Sequence, residues 1–171
     1  CAGRKDVSCF QFGWSGETAA GFLARLENDT SMFQPSAATL CYGMNDGIYL
    51  PYSEERFAKF QTGIQRLHER VTAAGAKIIF VTPPTFDEVK GGHPGYGQAL
   101  GRYSEWLLSQ ERKAGWDVVD LHGAMNRYLA DHRQRDPNFR PGTDVELQKA
   151  LAEVTPDVIV NAIDELLVID S

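Results

Sequence analysis

Cysteine is scarce in this chain: three in 171 residues, with no C-x-x-C pair and no paired histidine spacing. That pattern supports neither a zinc site nor a disulfide framework, and Cys9 and Cys41 read as small buried hydrophobes on strands. Positive charge is in deficit, with 17 Lys and Arg against 23 Asp and Glu and a net charge of −6. A nucleic-acid partner is therefore not expected, because nothing here would neutralise a run of phosphates. No apolar run approaches the roughly 18 residues that a membrane helix needs, so no membrane span is expected either. Repeats, low-complexity stretches and long linkers are missing, and residues 1–171 read as one domain. The chain starts on Cys1 without an apolar leader and is expected to be a processed or excised piece of something longer. Apolar residues are what it has in quantity: a hydrophobic share of 43% against 23% charged predicts a packed core.

Hydrophobic spacing orders that core. Val7 to Gln11 reads as a short strand ending at the turn signal Gly13-Trp14-Ser15-Gly16. Ala19, Phe22, Leu23 and Leu26 then recur at helical spacing between Glu17 and Glu27. After Pro35, Ala37 to Tyr42 reads as a buried strand stopped by Gly43-Met44-Asn45-Asp46-Gly47. Ser53 is a candidate N-cap, with Glu54 and Glu55 in a first turn where negative charge suits the helix dipole. Phe57, Phe60, Ile64, Leu67 and Val71 fall on one face of that helix, and Gly75 suits its C-terminal cap. Lys77 to Thr82 is a buried strand ended by Pro83-Pro84. A second cycle follows, with Leu100, Tyr103, Trp106 and Leu107 on a helix capped at Gly115 and a strand from Trp116 to Leu121. Asp144 to Val154 looks helical, while Asp157 to Ser171 has no decisive period. Strands alternating with helices predict a parallel sheet with helices on both faces, and ligands in such sheets bind at the carboxyl ends of the strands. That selects the loops Gly13–Thr18, Gly43–Gly47, Thr82–Asp87 and His122 onward.

Two of those loops resemble the SGNH/GDSL hydrolases, a family of serine esterases and lipases on a flavodoxin-like α/β/α sandwich. Phe12-Gly13-Trp14-Ser15-Gly16-Glu17-Thr18 is similar to the family's second block, and Tyr42-Gly43-Met44-Asn45-Asp46 to its third, Gly-x-Asn-Asp, block. The resemblance runs from about Val7 to Arg140. It implies a three-layer sandwich with a parallel sheet, here without the usual first strand at its N-terminus. It implies that the Gly16 N–H and the Asn45 side-chain amide are oxyanion-hole donors. It also implies metal-free and cofactor-free acyl transfer on a small-molecule or carbohydrate ester, and leans towards an exported protein. Physical chemistry supports the two donors independently. A helix start offers unpaired N–H groups, glycine admits close approach, and a neutral amide needs no titration to donate. Each has an ordinary alternative: Gly16 as a strand-to-helix turn, Asn45 as a side chain bonding its own turn.

The departures lie at the first and fifth blocks. Residues Cys1 to Asp6 contain no Gly-Asp-Ser strand to supply a nucleophile. In the fifth block, Asp-x-x-His, Asp144 matches the acid but Leu147 stands where the histidine belongs. His122, His93, His68 and His132 are better read as local or surface side chains than as a general base. Ser15 is better read as a turn residue than as a nucleophile elbow. Leu166-Leu167-Val168-Ile169-Asp170-Ser171 looks like a first-block strand at the wrong end, with Ser171 as the would-be nucleophile of a circularly permuted sheet. The sequence therefore leaves three alternatives: an ester hydrolase or a fragment of one, a catalytically inactive relative that binds a ligand, and a flavodoxin-like cofactor domain.

Overall fold

The computed structural model describes residues 8–137 and 139, which fall into a larger unit, Phe12–Gly123, and a smaller one that holds the described residues outside it. Within the larger unit the order is α1 (Ala19–Phe33), β1 (Ala37–Leu40), α2 (Glu54–Ala73), β2 (Lys77–Val81), α3 (Glu88–Gly91), α4 (Tyr96–Ala114) and β3 (Asp117–Val119). The helix α5 (Leu121–Arg135) starts at its end. The strands form a parallel sheet in the order β1-β2-β3, with Leu40 opposite Phe80 and Phe80 opposite Val118. Parallel pairing forces each connection to cross the sheet, and α2 and α4 are those crossovers.

The core lies between β2 and the helices. Ile78 and Phe80 point to one face of β2 and join Phe60, Ile64, Leu67, Tyr103 and Leu107 in a single apolar cluster. Ile79 and Val81 point to the opposite face and are also buried, as a central parallel strand requires. The periodic face of α2 is the buried one. Ser53 caps this helix by accepting from the Arg56 N–H, and Gly75 closes it: Gly75 N–H reaches Thr72 O and Ala76 N–H reaches Val71 O. The smaller unit's described part contains the rest of α5, where Tyr128, His132 and Phe139 form an aromatic trio with centroids 4.0 and 4.7 Å apart.

Several expectations change. Ser8 to Gln11 is irregular and exposed rather than a strand; Val7 lies outside the described residues. β1 ends at Leu40 and buries only that residue, and among the described residues its one neighbour in the sheet is β2. α1 runs six residues beyond Glu27, to Phe33. Cys9 is exposed and disulfide-bonded, against the expectation of a buried, unpaired thiol, and Cys41 is free. His122 lies in the first turn of α5, not in a loop. His68 is half-buried against Trp116, with ring centroids 4.5 Å apart, rather than on the surface. Asp144, Leu147 and the segment Leu166 to Ser171 lie outside the described residues.

Candidate active site

The carboxyl ends of parallel strands share one rim, and the loops after β1, β2 and β3 meet there. Thr82, fully buried just beyond β2, joins them. Its N–H donates to Val119 O, its hydroxyl oxygen accepts from the His122 N–H, and its carbonyl oxygen faces the Cys41 thiol at 3.7 Å. Desolvation pushes that thiol up to about 11, although the residue as a whole retains exposed surface.

The turn before α1 has a defined geometry. Glu17 N–H donates to Trp14 O at 3.2 Å, and Gly16 has φ +80°, a conformation that side chains resist at this position of a turn. Thr18 then caps α1, its hydroxyl oxygen accepting from the Gly21 N–H. Gly16 is exposed, its N–H meets no acceptor among the described residues, and nothing lies within 4 Å of where a Cβ would stand.

Asn45 and Asp46 reach this turn from the neighbouring loop. The Asn45 amide donates to Glu17 O at 3.0 Å. A carbonyl only accepts, so the NH₂ end must face it, and the amide keeps a second N–H for another acceptor. The Asp46 carboxylate accepts from Ala19 N–H through one oxygen and from Gly43 N–H through the other, each at 3.0 Å. Burial raises its pKa from the ordinary carboxylate value, opposed by these backbone donors. From behind the loop, the buried Tyr96 donates its hydroxyl to Met44 O, and burial raises that phenol's pKa too. Ile48 and Tyr49 follow with φ of +50° and +57°, a left-handed pair costing on the order of 1–3 kcal/mol per residue. Packing of the Tyr49 ring on Tyr96, Phe86 and His93 helps hold them there.

A buried-edge ion network supports the Gly16 turn. Arg25 Nε and Nη2 each lie 2.7 Å from a Glu17 carboxylate oxygen, and the Tyr42 hydroxyl donates to the same carboxylate at 3.0 Å. Arg25 also bonds Asp29 and the Phe12 carbonyl. The Arg25 hydrogen bonds are the main reason Glu17 titrates below its ordinary value, while burial and the Glu17 bond raise Tyr42. Sequence reasoning missed Asp46, Tyr96 and Arg25 as site-forming residues. Only the Arg25–Asp29 pair carried a local signal, its i,i+4 spacing on a helix.

The structure thus brings Gly16's loop and Asn45 together. Among the described residues it pairs no serine with a histidine. His122 Nδ1 faces Pro83 O at 3.2 Å, His132 Nδ1 faces Tyr128 O at 2.9 Å, His68 stacks on Trp116, and His93 lies against Tyr49 and Phe86. Ser15 is exposed in the turn. No group of three or more potential metal-ligating His, Cys, Asp or Glu side chains occurs among the described residues, and none of their helices is long and apolar enough to cross a membrane.

Solved structures share this architecture. A gut microbial diltiazem-metabolizing enzyme matches at 20% identity and a TM-score of 0.64, covering 77% of this chain and 33% of that one. A catalytic mutant of an acetylxylan esterase from Geobacillus stearothermophilus matches at 18% identity and 0.56, covering 74% and 57%. The lipase/acylhydrolase from Enterococcus faecalis matches at 21% and 0.55, covering 66% and 55%. The chain therefore spans between a third and somewhat over half the length of these structures. No curated protein matches significantly. The family model for GDSL-like lipases and acylhydrolases matches residues 2–158. With that match over nearly all of its length, and with the α/β sandwich of the SGNH hydrolases, the chain belongs to the GDSL-like lipase/acylhydrolase family.

Proposed function

We propose that the loops around Gly16 and Asn45 form the oxyanion pocket of an ester hydrolase acting on acyl or acetyl esters of decorated carbohydrates. The observation that carries this is the hydrogen bond from the Asn45 amide to Glu17 O, which seats the side chain one residue from Gly16. One amide hydrogen anchors the side chain, and the other, with the Gly16 N–H, is available to the oxygen on which acyl transfer develops charge. Donors fixed before the reaction lower its barrier because no reorganisation accompanies the charge as it forms, and removing one costs about 10²–10³ in kcat. Asp46 and the Glu17–Arg25 pair hold the donors in place. The acetylxylan esterase likeness and the exposed approach to Gly16 support a carbohydrate ester. The Cys9 disulfide supports an exported protein.

The nucleophile and base belong to the full reaction and are part of the proposal. Ser171 as nucleophile and Asp144 as acid remain candidates outside the described residues. Oxyanion donors without a nucleophile still leave catalysis of roughly 10³–10⁴-fold over water. A short-chain aryl ester assay paired with a serine-directed phosphonate tests the proposal. Turnover with stoichiometric labelling, and a loss of about 10²–10³-fold in Asn45→Ala, supports hydrolysis. Inertness at high protein concentration supports the second alternative, a ligand-binding relative, which Leu147 in the histidine position and the local engagement of the four described histidines favour.

A further inference from the structure

Trp14 is 70% exposed, the largest value for a large hydrophobic side chain among the described residues. Single apolar residues at a surface are ordinary; an immobilised one is less so. The Trp14 backbone is pinned by the turn, its carbonyl accepting from Glu17 N–H. The Arg25 guanidinium carbon sits 4.7 Å from the ring centroid, and Arg25 is itself held by Glu17, Asp29 and the Phe12 carbonyl. Among the described residues no other ring contact covers Trp14. Arg25 thus lies over the ring of an indole that stays 70% exposed, two residues from Gly16, beside whose Cβ position nothing lies within 4 Å. An orientation fixed before binding spares the ligand the cost of ordering the side chain.

The surroundings select the ligand. Along the turn itself the exposed neighbours of Trp14 are Gly13, Ser15 and Gly16, which offer an alkyl chain no apolar side chain. A pyranose suits such a place, because its C–H face lies flat on an aromatic ring while its rim hydroxyls meet water and the Ser15 hydroxyl. We propose that Trp14 is a specificity-determining residue whose exposed indole receives the sugar ring of the ester alcohol. The proposal rests on the Gly16–Asn45 pocket for its position, but its binding step needs no nucleophile.

The test uses the deacylated product. Xylotriose and cellotriose are titrated into the full chain by calorimetry, with octanoate as the non-saccharide probe. At least one trisaccharide is expected to bind with saturation, to shift tryptophan emission to the blue and to shield it from iodide. Trp14 is the exposed indole, whereas Trp116 is buried and Trp106 partly so, so the shielded emission reports on Trp14. Trp14→Ala should weaken trisaccharide binding at least tenfold with an unchanged far-ultraviolet spectrum, and Trp14→Phe should restore part of it. Trisaccharide affinity equal in Trp14→Ala and the parent chain would overturn the proposal, as would octanoate binding alone or no binding by any probe. The parent chain separates the two readings: saturable trisaccharide binding without any ester turnover would sink the hydrolase reading and leave the Trp14 site standing.

Discussion

The interior beneath α2 and α4 and the rim above the strands are held by opposite means. The interior is apolar and aromatic: Phe60 stacks on Tyr103 at 4.6 Å, Trp106 meets Trp116 edge-on, and Phe80 lies 5.0 Å from Trp116. The rim is joined by side chains bonding backbone across long sequence gaps, as Asn45 does to Glu17 and Asp46 to Ala19. Apolar contact is non-directional and tolerates small shifts, whereas a hydrogen bond fixes both distance and angle. The first suits a core, the second a site whose atoms must not drift.

Breaking the interior should have the largest effect. Phe60→Ala removes a side chain only 1% exposed and is expected to destabilise by about 3–5 kcal/mol in a denaturant titration. A loss below about 1 kcal/mol would show that the aromatic layer contributes little.

Arg25→Met probes the rim and should cost less, about 1–3 kcal/mol near neutral pH, because it leaves the Glu17 carboxylate without its main partner. Its pH dependence follows from the direction of the Glu17 shift. A folded-state pKa below the ordinary value gives stability that is present above the ordinary carboxylate pKa and lost as pH falls through the lowered one. Parent and variant should therefore converge in acid. A stability gap that stays constant from neutral pH to pH ~3 would contradict the assignment.

How much of this contrast was legible follows from its physics. The α2 face, the Ser53 cap, the Gly75 cap and the apolar β2 were all readable, because period and capping chemistry are local. Gly16 and Asn45 were marked by motif, at neighbouring strand ends. Asp46 ends the same Gly-x-Asn-Asp block, but its role was not readable, since its partner Ala19 lies 27 residues away and nothing in the spacing predicts that bond. The disulfide at Cys9 likewise had no spacing signature. Ser8 to Gln11 has strand-like composition, but strand formation depends on a neighbour that composition does not report.

The smallest effect is expected at the boundary between the two regions. Cys41, whose burial pushes its pKa up to about 11, should be alkylated by iodoacetamide at pH 8 about 100-fold more slowly than in the unfolded chain. A rate ratio near one would mean that the thiol is freely hydrated.

The Asn45–Asp46 pair works as a two-pronged clasp: one prong gives a hydrogen to Glu17, and the next takes one from Ala19. Deleting a single residue between Gly43 and Asn45, or between Gly16 and Ala19, would unfasten both prongs at once. Changes in loop length are thus tolerable only outside these two short stretches, which ties the spelling of both motifs to one mechanical joint.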